Sequence, residues 1–85
     1  MASQPDKTAL FVADSVVKAF ASLGWDCEPT SADYLFTKTV DGFEEGIILP
    51  MQGVYPADQV LLIIHFTRGI DPEAFAAAYL KVHKS

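Results

Sequence analysis

A chain of 85 residues in which 51% are hydrophobic, 12% aromatic and 20% charged has enough apolar side chains for one buried core and too many for a disordered coil. Its single cysteine, Cys27, excludes an internal disulfide and with it a stapled secreted scaffold. The net charge of −5 supplies no basic footprint to displace phosphate counterions, so direct binding of nucleic acid is not expected.

The charge is unevenly placed. From Gly24 to Asp58 stand seven acids (Asp26, Glu28, Asp33, Asp41, Glu44, Glu45 and Asp58) against one base, Lys38. Such a segment either solubilises a surface or meets a basic partner. The opening stretch MASQPDKTALFVADS has no basic segment leading into an apolar one, and no apolar run approaches the ~20 residues that span a bilayer. A cytoplasmic protein without membrane contact is expected.

No repeat or linker interrupts the chain, which reads as a single α+β domain over residues 1–85 with residues 1–5 flexible. The predicted order is α-β-β-β-α. Pro5-Asp6 opens a first helix with Asp6 as its cap, and Gly24 closes it. At 100° per residue Ala9, Val12, Ala13, Val16, Ala19, Phe20 and Leu23 share one face. Phe11 then lies in the polar stripe between Lys7 and Lys18, which marks it as a candidate partner contact.

Trp25 to Glu28 reads as a short edge strand, with Trp25 and Cys27 inward, the acids outward, and Pro29 limiting its pairing. Tyr34 to Leu49 is a β-hairpin around Asp41-Gly42, the pair that favours the positive φ angles of a type I′ turn. A two-residue loop sets Val40 against Phe43, Lys38 against Glu45, Phe36 against Ile47 and Tyr34 against Leu49. The unbroken apolar run from Val60 to Phe66, with His65 inside it, predicts a strand buried on both faces. Asp71-Pro72-Glu73 starts a last helix, with Asp71 as cap and Pro72 in the first turn. The expected fold is an antiparallel sheet of three strands, or four with Trp25–Glu28, and two helices packed on one face.

No catalytic constellation emerges. Glu44 and Glu45 are adjacent on a strand and point to opposite faces, which removes the geometry of a shared proton. The two histidines, His65 and His83, have no metal-ligand spacing, and the glycines match no phosphate-binding loop. No cofactor, no metal and no enzymatic activity are therefore expected. The loop Pro50–Pro56 offers Met51, Val54 and Tyr55 between prolines, a composition suited to a preorganised contact surface.

The helix, hairpin, strand, helix layout and the acidity resemble, in layout alone, type III secretion chaperones and phage-encoded inhibitors of CRISPR systems. That resemblance implies a small protein-binding regulator. The leading expectation is a non-catalytic module that docks on a basic, nucleic-acid-handling protein surface, as a phage-type anti-CRISPR inhibitor would. A sheet with helices on one side leaves Leu35, Ile48, Leu61 and Ile63 uncovered, so a partner or a homodimer is expected to cover them. The contact set is Phe11, Asp41, Glu44, Glu45, Met51, Val54, Tyr55, Leu61, Ile63 and His65. The alternatives are a secretion-chaperone-like adaptor or small-ligand carrier, and a small enzyme using His65 as base.

Overall fold

In a computed structural model, residues 9–84 of the chain are described. Five strands and three helices follow in the order β1 (Leu10–Val12), α1 (Ala13–Ser22), β2 (Asp26–Pro29), β3 (Asp33–Val40), β4 (Phe43–Pro50), β5 (Val54–Pro56), α2 (Ala57–His65) and α3 (Pro72–Lys84). The fold is α+β with antiparallel sheets, as expected. One sheet has three strands in the order β2-β3-β4, and a separate ribbon pairs β1 with β5.

The hairpin forms in the register that its turn dictates. Asp41 and Gly42 take φ angles of 54° and 84°, the two positive values that a type I′ turn requires. Val40 then opposes Phe43, and the ladder runs unbroken to Asp33 opposite Pro50. β2 is an edge strand, with Cys27 opposite Phe36 and Pro29 opposite Tyr34.

Two expectations are corrected. The first helix does not run from Pro5: Asp6 and residues 1–5 lie outside the described residues, and Leu10–Val12 is a strand. Its partner explains the change. Phe11 pairs with Tyr55 across the ribbon, and the Ala13 amide donates to the Gly53 carbonyl at 2.9 Å, so the chain is held extended until α1 begins. A helical wheel drawn through Ala9–Val12 cannot register that remote strand.

The second correction is larger: Val60–Phe66 is not a strand, and residues 57–65 form α2. Ala57, Val60 and Ile64 are buried and Leu61 packs against the core, which is the i, i+3, i+4, i+7 stripe of an amphipathic helix. Five consecutive apolar residues hid that period, because a run with no polar member fits a buried strand and a helix equally. In consequence there are three helices rather than two.

The last helix begins as its sequence predicts. Asp71 accepts the Ala74 amide at 3.1 Å through Oδ2, and Phe75 and Tyr79 are buried. At the other end of α1, Gly24 takes φ 91° while Trp25 turns back to donate to the Phe20 carbonyl at 3.0 Å.

Aromatic rings join these layers. Phe20 of α1 stacks on Phe36 of β3 at 4.2 Å, meets Trp25 edge-on at 5.7 Å and lies 4.8 Å from Phe75 of α3. Phe11 extends the cluster, 4.2 Å from Tyr79 and 5.9 Å from Phe75. The Tyr79 hydroxyl in turn accepts the Val12 amide at 2.8 Å, which fixes the ribbon to α3.

Two substitutions test this packing. Phe20→Ala empties a fully buried site and is expected to cost about 3–5 kcal/mol of unfolding free energy, measured by urea denaturation. Gly69 has φ 86°, and a Cβ there would sit 2.3 Å from the Val40 Cγ2. Gly69→Ala therefore meets both backbone strain and a clash, with an expected loss of about 2 kcal/mol or more. Gly53→Ala, with open space around it, serves as the mild control.

Candidate functional site

Alternation along the three-stranded sheet sorts its side chains onto two faces. Phe36, Ile47 and Leu49 point toward the helices and are buried, and Cys27, opposite Phe36, packs against that core. Lys38 shares this side, and its ammonium donates to the Leu23 carbonyl at the end of α1, 3.1 Å away. A cation there satisfies a free carbonyl and the negative end of the helix.

The opposite face carries Asp26 and Glu28 of β2, Asp33, Leu35, Thr37 and Thr39 of β3, and Glu44, Gly46 and Ile48 of β4. It has four carboxylates and no lysine, arginine or histidine. Across it run the rows Glu28-Leu35-Ile48 and Asp26-Thr37-Gly46. Ile48 is 64% exposed, although it sits in the middle of a strand. No described helix covers this face: the apolar side chains that α1, α2 and α3 bury belong to the same core as Phe36, Ile47 and Leu49.

The expected contact residues are dispersed. Asp41 lies at the hairpin tip and Glu44 on the bare face, whereas Glu45 is half-buried on the helix side opposite Lys38. Phe11 and Tyr55 are interior: Tyr55 is 3% exposed and donates its hydroxyl to the Pro50 carbonyl. Leu61 packs on the core from α2, so neither it nor Ile63 belongs to the sheet. Ile63 lies with Leu62 and Phe66 on the outer side of α2; exposed Met51 lies in the β4–β5 loop and exposed Val54 in β5 of the ribbon.

His65 stands exposed at the end of α2, edge-on to Phe66 at 5.0 Å. Among the described hydrogen bonds none joins it to an acid. The structure does bring together one pair that the sequence concealed: Ser15 Oγ lies 3.0 Å from His83 Nδ1, with the ring stacked on Tyr79 at 5.2 Å. Sixty-eight residues separate the two, and no sequence signal links them. Ser15 stands in the first turn of α1, and neither residue lines the described hollows. The contact ties the end of α3 to α1.

Two hollows open on the surface. One of about 430 Å³ is lined by Leu23, Lys38, Gly69, Ile70, Asp71 and Ala74, and both charged groups in it already serve helix ends. The other, about 310 Å³, lies between α1 and the β4–β5 loop, lined by Val12, Asp14, Tyr34 and Met51 among others. Among the described residues no group of three or more histidine, cysteine, aspartate or glutamate side chains could hold a metal ion, and no helix is long and apolar enough to cross a membrane. No protein-family model, curated protein or solved structure matches the chain.

Burial pushes the Cys27 thiol above its ordinary value, and burial is likewise the main cause that raises Tyr55. A raised thiol is a poor nucleophile near neutrality. For both groups the folded state holds the proton more tightly than the unfolded one, so their stabilisation is complete below about pH 8.5 and is lost as pH rises through the thiol and phenol ranges. Urea midpoints taken from pH 7 to 11 should fall with pH, and Tyr55→Phe should flatten the upper part of that fall.

Proposed function

We propose that the protein is a non-catalytic binding module whose bare sheet face docks on a basic protein surface. The observation that supports this most directly is Ile48, 64% exposed beside Leu35 on the uncovered sheet face. Around the pair that it forms with Leu35 stand small, polar or acidic side chains. An apolar pair on an open face bordered by charged side chains has the anatomy of a protein interface, and four carboxylates without a base select a cationic partner and speed its approach. The same charge disfavours direct contact with nucleic acid, whose phosphates carry the same sign.

Protein surfaces that handle nucleic acid present the complementary potential, so an inhibitor or regulator of such a protein is the narrower form of the proposal. A small-ligand carrier is less well supported, because the described hollows are open and the charged groups of the larger one are committed to helix ends. The half-buried, unpaired Cys27 fits a reducing compartment.

Asp26→Lys combined with Glu28→Lys changes two exposed side chains and should leave the circular dichroism spectrum intact. Capture from the native host with wild type and variant in parallel is expected to yield a protein that the variant fails to retain. With that protein purified, association should be about tenfold slower for the variant, and the wild-type on-rate should fall as salt rises. An on-rate indifferent to both changes would reject docking through this face.

A further inference from the structure

The two edges of the three-stranded sheet differ. β2 has four residues and ends at Pro29, so its outer edge is short and blunted. β4 has eight residues, pairs only with β3, and contains no bulge and no proline before Pro50. In a type I′ hairpin the residues flanking the turn, Val40 and Phe43, form a hydrogen-bonded pair, and such pairs alternate along the ladder. Phe43, Glu45, Ile47 and Leu49 therefore bond inward to β3. The amides and carbonyls of Glu44, Gly46 and Ile48 point out of the sheet, and all three residues are exposed.

We propose that this edge pairs with the same edge of a second copy, antiparallel, about a two-fold axis at Gly46. Three features of the sequence select that arrangement. With Gly46 opposite its own counterpart, Glu44 faces Ile48 of the other copy and Ile48 faces Glu44, so three residue pairs exchange six backbone hydrogen bonds. Shifting the axis one residue toward the turn sets Glu45 against Glu45, and a further step sets Glu44 against Glu44, like charges directly across strands. Shifting it the other way sets Glu44 against Pro50, which has no amide to donate. In the Gly46-centred register the two Glu44 positions lie about 14 Å apart, from ~3.4 Å per residue and ~4.8 Å between strands, beyond the screening length of about 8 Å at physiological salt.

The product is a continuous six-stranded sheet with the helices of both copies on one side and a doubled acidic face on the other. Ile48, exposed in the single chain, gains a neighbour across the new strand pair. A second copy suits this edge better than an unrelated strand because the edge is self-complementary: each glutamate meets an apolar residue and glycine meets glycine. The pairing is separate from docking through the bare face, whose test uses Asp26 and Glu28 on the far strand.

Sedimentation of the wild type at about 100 µM should give twice the 9.3 kDa chain mass, with slowed amide exchange at Glu44, Gly46 and Ile48. Gly46→Pro removes one outward donor without touching the β3 ladder, and Ile48→Glu places a carboxylate opposite Glu44; each should weaken association at least tenfold. Adding Glu44→Lys to Ile48→Glu should restore it. In a Cys27→Ser background, Gly46→Cys should oxidise to a disulfide-linked dimer, since paired Cα atoms lie about 5.5 Å apart, within disulfide reach. A wild type that stays monomeric at that concentration overturns the proposal, including one whose β4 amides become protected only on adding a basic extended peptide. A dimer that persists in Ile48→Glu overturns it too, and that exposed substitution decides the matter should Gly46→Pro fail to fold.

Discussion

The ring of Phe20 is where the layers of the domain meet. It projects from α1 and touches Trp25, Phe36 of the sheet and Phe75 of α3 at once. In a chain this small, one contiguous core must supply nearly all of the hydrophobic stabilisation, and aromatic side chains bury the most area per residue. The tilt of α1, the position of α3 and the face that the sheet turns inward all follow from accommodating these rings. Phe11 and Tyr79 carry the same cluster to the β1–β5 ribbon, so the two sheets share one interior.

That interior leaves the rest of the molecule one-sided. All three helices contribute buried side chains to the core on one side of the sheet, and the other side is bare. The acids that look like a run in sequence are divided by strand alternation: Glu44 goes to the open face and Glu45 to the helix side. Lys38 is withdrawn from the acidic face by the same alternation and is held at the end of α1. The face is acidic without a base because the one base in that segment has a structural task.

Ser15 and His83 form the sole serine–histidine contact among the described hydrogen bonds, with Ser15 in the first turn of α1. The His83 ring stacks on Tyr79, and neither partner lines the two hollows described above. His65 stands apart at the end of α2.

The hairpin was legible down to its register, because Asp41-Gly42 specifies a local backbone conformation and the alternation on either side admits one pairing. The start of α3 was legible for a similar reason: Asp71 and Pro72 act within one turn of where they stand. α2 was not, since five apolar residues in a row hold no period, and only the core that receives Val60 and Ile64 distinguishes helix from strand. Leu10–Val12 was read as helix because its strand partner lies more than forty residues away. The Ser15–His83 contact likewise joins segments remote in sequence, whereas the open face of Leu35 and Ile48 was expected from the alternation of the hairpin. Short-range backbone preferences are written in adjacent residues, whereas which face is covered depends on where distant segments pack, and that is decided by the closing of the core.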